Sequence, residues 1–332
     1  MYNILMIRRK ITTIGGGTGQ YTLLRGLKNY DIDLTAVVSM VDDGGKSTKR
    51  LIVEFGILPP GDLRNCLIAL ADESKLRDLK ELFEYRFPDF NKTENGLGGH
   101  NLGNLILTAL TQQHENIGNA IKIAGQILNI SGKVLPVSLT KTNLIGETTK
   151  GKILKGQTEV SYNVSSDETI RRLWLEPDAL VFKETAEALR KSDLIVICPG
   201  DFYGSILPNF LVKGVKEAIQ DSRAKIVYVC NLVTKQGTYN FKTNNFIKEI
   251  EKYLGKKIDY VILNEKRPTK RIVDKYKGED SYFVEPVIGK SEERIIKTDL
   301  LVEQEFNGRI IARHDSEKVA KLIMEIVNCA NK

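Results

Sequence analysis

Several short stretches hold residue types whose spacing could do chemistry. Gly15-Gly16-Gly17-Thr18-Gly19 lacks bulky side chains, so a backbone there can approach a phosphate while the first amides of a following helix point at it. The same glycines would equally serve a turn that does no more than pack a strand tightly on a helix. A dinucleotide fingerprint asks for a further glycine at position 20, and Gln20 stands there. Asp42 and Asp43 precede Gly44-Gly45. Adjacent carboxylates repel unless water or a cation separates them, which suits a loop holding Mg²⁺ or ligand hydroxyls, and also an Asp-Gly turn that merely caps structure. Both are candidate catalytic and metal-binding residues.

In Pro59-Pro60-Gly61-Asp62-Leu63-Arg64-Asn65, Asp62 reads as a plain helix cap. Arg64 sits in a first turn, where acids are favoured, so an ion pair to a loop carboxylate or a ligand contact would explain it. Gly98-Gly99-His100-Asn101-Leu102-Gly103-Asn104 feeds a glycine pair into a helix start lined with polar groups; His100 is a candidate for proton transfer or a structural histidine. Pro199-Gly200-Asp201-Phe202-Tyr203-Gly204-Ser205, and Asn231 with Thr234, follow further apolar runs. No nucleophile–base–acid set, Walker lysine loop or histidine–cysteine metal cluster is present.

The elements that must position these residues read as α/β. Lys10–Ile14 and Leu34–Val41 are short apolar runs flanking a helical pattern at Tyr21–Leu27, an opening βαβ of a parallel sheet. Ligands of such sheets lie at the carboxyl ends of the strands. Residues 63–128 turn helical, and Leu102, Leu105, Ile106, Ala109 and Leu110 fall on one face expected to pack on the sheet. Val134–Thr140 and Lys150–Val160 read as strands of a β-hairpin excursion over about 134–162. Strands then recur at Leu194–Cys198, Ile226–Cys230 and Tyr260–Asn264, a helix starts near Asn209, and Glu317–Val327 closes as an amphipathic helix. The expectation is a Rossmann-like, mainly parallel sheet with helices on both faces, residues 1–332 forming a single domain with helical and β-hairpin insertions.

Composition bounds the rest. The 332 residues are 42% hydrophobic and 27% charged, which excludes a disordered chain, and 49 basic against 42 acidic residues leave +7, an excess that suits an anionic ligand. No nucleic-acid recognition motif accompanies that charge. Cys66, Cys198, Cys230 and Cys329 match no zinc or disulfide spacing. Met1–Lys10 places its basic residues after its apolar ones, unlike a secretion signal, and no apolar run is long enough to span a membrane, so a cytoplasmic protein is expected.

The ordered set GGGTG, VDDGGKS, LPPGDLRNCLIALAD, GGHNLGNLIL, LIVICPGDFYGSILPN, YVCNLVTKQGTY and RHDSEKVA resembles the gluconeogenesis-factor (YvcK) branch of the CofD-like family, from Ile11 to the final helix. The resemblance implies a Rossmann-like fold in cytoplasmic bacterial proteins that bind UDP-N-acetylglucosamine and support cell shape on gluconeogenic carbon sources, with no reaction assigned. A homo-oligomer and a regulatory protein partner would go with that role. The related 2-phospho-L-lactate transferases use Mg²⁺ to move a phospholactyl group from a guanylylated donor, which supplies an enzymatic alternative.

Carried over by position, Gly17, Thr18 and Gly19 would line the nucleotide crevice with Gly200. Asp42 and Asp43 would form its acidic loop, and Asn65, His100, Asn101 and Asn104 would face the ligand. Asn231 and Thr234 match an Asn-x-x-Thr loop. Tyr276 and Arg313 fall where the binding branch carries a tyrosine and an arginine for the nucleotide sugar, the one stacking and the other gripping diphosphate. Lys46-Ser47-Thr48-Lys49, Asp201-Phe202 and Gln236 depart from the usual pattern.

Overall fold

The protein is described here by a computed structural model covering residues 8–72, 76–89, 96–286, 294–306 and 309–329. The first seven residues, and with them most of the stretch read against a secretion signal, lie outside it. In chain order the first elements are β1 (Arg9–Gly15), α1 (Gly17–Leu27), β2 (Ile32–Val38), α2 (Lys46–Phe55), α3 (Gly61–Leu70), α4 (Arg77–Glu84), α5 (Leu102–Gln113), α6 (Ile117–Ile127) and β3 (Lys133–Pro136). An excursion follows: β4 (Asn143–Thr148), β5 (Ile153–Lys155), α7 (Gln157–Tyr162) and β6 (Ile170–Glu176). The second half of the sheet comes from α8 (Lys183–Lys191), β7 (Leu194–Ile197), a π-type turn at Phe202–Ile206, α9 (Pro208–Leu211), α10 (Val215–Gln220), β8 (Lys225–Val229), α11 (Thr243–Leu254) and β9 (Tyr260–Asn264). The chain continues through α12 (Lys270–Gly278), β10 (Ile295–Thr298), the hairpin β11 (Leu301–Phe306) and β12 (Arg309–His314), and α13 (Ser316–Cys329).

Seven parallel strands lie in the order β3-β2-β1-β7-β8-β9-β10. This is the doubly wound pattern: strand order runs outward from β1 one way, then restarts beside it at β7. Right-handed crossovers therefore put α1 on one face, packed with α3 and α13, and α8 and α10 on the other. The central strands are nearly continuous apolar runs because both faces are covered; Leu194–Ile197 is buried throughout, and Ile226–Val229 likewise. Gln20 is fully buried and its amide donates to Thr13 Oγ1 at 2.8 Å. It ties α1 to β1 where a dinucleotide-binding protein would have its third glycine.

Three expectations change. Residues 133–136 belong to the main sheet as its edge strand; the excursion is a three-stranded antiparallel sheet over 143–176, in which only Ile153–Lys155 of the expected 150–160 strand is extended and α7 follows. The helix near Asn209 is only Pro208–Leu211, preceded by the π-type turn. In α5 the buried positions are Gly103, Asn104, Leu107, Thr108 and Thr111, while Ala109 is exposed. Thr108 and Thr111 can be buried because their hydroxyls donate back to the carbonyls of Asn104 and Leu107, and Asn104 meets Arg64. That contact, a polar one, sets the face of α5 that turns inward.

Candidate functional site

The strand order reverses between β1 and β7, and the loops leaving their carboxyl ends diverge there, which opens a crevice. A cavity of about 430 Å³ occupies it, a size suited to a nucleotide-scale ligand. Its floor includes Gly16–Gly19 from the first loop and Pro199–Asp201 from the second. A Cβ on Gly19 would lie 1.7 Å from the Pro199 carbonyl oxygen, so glycine is required for α1 to rest on the β7 loop. A Cβ on Gly17 would lie 2.3 Å from Asp62 Oδ1. The packing reading of the glycines therefore holds, and that packing brings the start of α1 to the crevice.

Asp62 is not a cap of its own helix. Its carboxylate crosses to α1 and accepts the Gly17 amide; burial, then the charge of Asp42, pushes its pKa up to about 7. Thr18 and Gly19 follow in the same first turn, whose amides lack intrahelical partners. Asp42 also lines the crevice and accepts from the Gly44 amide at 2.9 Å; burial raises its pKa, and Asp43 and Asp201 push the same way. Asp43 turns elsewhere. Its carboxylate takes the Thr158 hydroxyl at 2.6 Å and the Thr158 amide at 3.2 Å, anchoring α7. The crevice carboxylates are thus Asp42, Asp62 and Asp201. No three acidic, histidine or cysteine side chains among the described residues are gathered closely enough to hold a metal by themselves. Mg²⁺ needs no such cage, since it commonly sits on one or two carboxylates and the ligand's phosphates; Asp42 and Asp62 fit that donor set.

The other wall comes from sequence far away. Tyr276 on α12 and Ile311–His314 on β12 line the crevice together with Lys235. The Tyr276 hydroxyl accepts from the Ala312 amide at 3.1 Å, and Lys275 Nζ donates to the Ile310 carbonyl at 2.7 Å, so α12 is tied to the hairpin. The Arg313 side chain has no ion pair or hydrogen bond among the described residues; burial lowers its pKa, and the groups that act on it are Tyr276 and Tyr21. His314 is 6% exposed, with its pKa pushed down to about 4 by burial and its Nε2 unpartnered. Asn231 lines the crevice while its amide donates to the Gly200 carbonyl at 2.6 Å, joining the loops after β7 and β8. Thr234 is buried and exchanges hydrogen bonds with Tyr282 instead.

Asn65, His100, Asn101 and Asn104 are not in the crevice lining; they gather beside it between α2, α3 and α5. Arg64 donates to Asn104 Oδ1 at 2.9 Å and to Asn65 Oδ1 at 2.8 Å, so amide oxygens take the place of the expected ion pair. Burial, and then Arg86, lowers its pKa to about 10. Asn101 caps α5 through the Asn104 amide. His100 is 3% exposed, and burial followed by Arg50 lowers its pKa. The cluster touches the crevice through Asn65, whose Nδ2 would be 2.7 Å from a Gly17 Cβ. A larger cavity, about 660 Å³, lies by the amino ends of β1–β3 between α6 and α8. It is remote from the strand ends where such sheets bind ligands.

Sequence reasoning missed Gln157, Tyr162, Lys235 and His314 among the lining residues, and took Asp62 for a cap. Proximity of Asp62 to the glycine turn depends on α3 packing against α1, which no local pattern encodes.

A family model described as 2-phospho-L-lactate transferase CofD matches residues 11–301. A Thermotoga maritima protein is 40% identical over 321 residues, covering 96% of this chain and 99% of its own. The gluconeogenesis factor of Bacillus subtilis is 37% identical over 323 residues, covering 96% of this chain and 98% of its own. A crystal structure of a Bacillus halodurans protein superposes with a TM-score of 0.86 at 36% identity, covering 96% of this chain and 99% of that one.

Proposed function

The chain belongs to the CofD family, alongside the gluconeogenesis factor of Bacillus subtilis, and on that premise we propose that it is a regulator that binds a nucleotide sugar, UDP-N-acetylglucosamine. Its role is in gluconeogenic growth and cell morphogenesis. The observation that carries this reading is an arginine held without a counter-charge among the described residues, Arg313, beside Tyr276 in a crevice whose floor is the start of α1. A guanidinium kept half-buried with no carboxylate partner is costly unless an anion completes it. A diphosphate does so bidentately, and an aromatic ring beside it suits a base or ribose. The same reading takes residues 1–332 as one nucleotide-binding domain acting in the cytoplasm, with a homo-oligomeric state and a regulatory protein partner. Titration calorimetry with UDP-N-acetylglucosamine is expected to show saturable binding. Heat with GDP or NAD and none with the UDP-sugar would remove the reading.

A second reading is favoured by Asp42 and Asp62: a Mg²⁺-dependent transferase that moves a phospho-acyl group from a nucleotide-diphosphate-type donor. The two carboxylates would hold the cation, which would neutralise charge on the transferring group. The start of α1 would orient the phosphates, and the cation would compete with a proton at Asp62, whose pKa is raised to about 7. Turnover of such donors that requires Mg²⁺ and is lost in Asp42→Asn is the expected signature; its absence across guanylylated and uridylylated donors rejects this reading.

A further inference from the structure

The nucleotide-sugar reading leaves one part of the crevice lining without a role. Tyr162 and Gln157 come from α7, Asp201 from the loop that caps the π-type turn, and Ser205 from the turn itself. Tyr162 is 53% exposed, an aromatic ring left in water at the rim of a concave site. Its helix does not hang loosely there. Asp43 holds Thr158 at one end of it, Gln157 Nε2 donates to Asp201 Oδ2 at 3.3 Å, and α7 packs on the π-type turn. Asp201 Oδ1 is fixed by the Gly204 amide at 3.1 Å, so the carboxylate's direction is set while acceptor capacity remains on both oxygens.

These side chains differ in chemistry from the basic part of the lining. Arg313 and Lys235 are suited to phosphate. A carboxylate, a carboxamide and a hydroxyl are instead the set that reads neutral hydroxyl groups, which both donate and accept. An exposed tyrosine ring offers a flat apolar surface to the C–H face of a pyranose.

We propose that Tyr162, Gln157 and Asp201 form a hexose subsite, in which Tyr162 stacks on the sugar ring and the other two bind its hydroxyls. The subsite rests on the nucleotide-sugar reading above. It gives the α7 excursion a role, since α7 then carries the part of the site that distinguishes a nucleotide sugar from the bare nucleotide.

The test is parallel calorimetry of the full chain with UDP-N-acetylglucosamine and with UDP. Tyr162→Ala and Gln157→Ala are expected to weaken the UDP-sugar about fivefold or more while UDP stays within about twofold, and Tyr162→Phe to restore the UDP-sugar. Tyr162 is half exposed, so its variants are expected to keep the wild-type thermal midpoint. Equal losses for both ligands, or no loss for either, overturn the subsite. So does a wild-type protein that binds UDP as tightly as the UDP-sugar, a result that leaves the nucleotide half of the reading standing. Absence of binding to both ligands is the separate outcome that defeats the nucleotide-sugar reading and the subsite with it.

Discussion

The floor of the crevice and its hairpin wall solve opposite problems in the same way. The floor gathers acids, Asp42 and Asp62, and shifts them upward, Asp62 to about 7; the wall gathers bases, Arg313 and His314, and shifts them downward, His314 to about 4. Burial is the leading cause in each case. Desolvation penalises whichever form is charged, so both sides are pressed toward neutrality until something of opposite charge arrives. They differ in what holds them. The floor is locked by close backbone contacts of the main sheet, whereas the wall is a two-stranded sheet tied to α12 by side-chain bonds. Changes in the floor should therefore damage stability, and changes in the wall should damage binding.

The largest effect tests the floor. Gly19→Ala places a methyl group against the Pro199 carbonyl, where two backbones would have to separate. We expect a loss of about 3 kcal/mol or more by urea denaturation, at the upper end of overpacking costs. Gly45→Ala is the contrast, since φ is −70° and a Cβ there meets nothing within 4 Å; it should stay within about 1 kcal/mol of wild type. Similar values for the two variants would break the claim that the floor is a lock.

How much of each region the sequence revealed follows the same division. Gly17, Gly19, Asp42 and Gly200 were legible as floor residues because β1, β2 and β7 announce themselves as apolar runs and the glycines sit at their carboxyl ends. Tyr276 and Arg313 came only through resemblance to a family. Nothing local marks α12 or the β11–β12 hairpin as a wall, because they face the glycine turn across the crevice from far along the chain. His100 and its asparagines were legible as a polar cluster, but the pattern could not say that Arg64 would draw them to α3. The excursion failed for a related reason: strands at 134–140 and 150–160 were expected around a turn containing Gly146, yet Gly146 lies inside β4, Gly156 at φ +95° ends the second strand, and Asp43 receives the next turn as helix.

Opposite shifts give opposite pH dependences, which sharpens the comparison. Asp62, raised from 3.8 to about 7, binds a proton more tightly in the folded state, so its contribution is present below pH 4 and is lost as pH rises through 7. His314, lowered from 6.5 to about 4, contributes stability above 6.5 that is lost as pH falls toward 4. In the wild type the two slopes oppose each other over much of that window. Asp62→Asn should uncover the histidine, with stability falling on acidification. His314→Gln should uncover the aspartate, with stability falling as pH rises from 4 to 7. Each slope is limited to about 1.4 kcal/mol per pH unit for a single group. Chelator-treated protein followed by urea midpoints between pH 4 and 8 measures both, and slopes of the same sign in the two variants would contradict the assignment.

On the wall, Arg313→Ala removes a cation whose side chain has no partner among the described residues, so the fold loses little and the ligand loses much. Binding of UDP-N-acetylglucosamine should weaken by about 1.5–3 kcal/mol, the order expected for a hydrogen bond to a charged group, while the urea midpoint moves by less than about 0.5 kcal/mol. Unchanged affinity would take Arg313 out of the site. A large loss of stability would instead mean that the arginine supports the hairpin, and the distinction between floor and wall would fail.

The smallest effect separates the two parts of Tyr276. Its hydroxyl accepts from the Ala312 amide, whereas its ring rests edge-on against Phe283 at 5.6 Å between centroids and lines the crevice. Tyr276→Phe deletes the first and keeps the second. Removing one acceptor from a partly buried amide costs about 1 kcal/mol. If the ring is what meets the ligand, affinity for UDP-N-acetylglucosamine should change by less than about threefold, and Tyr276→Ala should then weaken binding beyond that. If the hydroxyl mainly holds the hairpin in place, the loss in Tyr276→Phe should appear in the urea midpoint rather than in affinity. A tyrosine-to-phenylalanine change that abolishes binding while leaving stability intact would show that the hydroxyl itself touches the ligand, and the tie between α12 and β12 would then be incidental to the site.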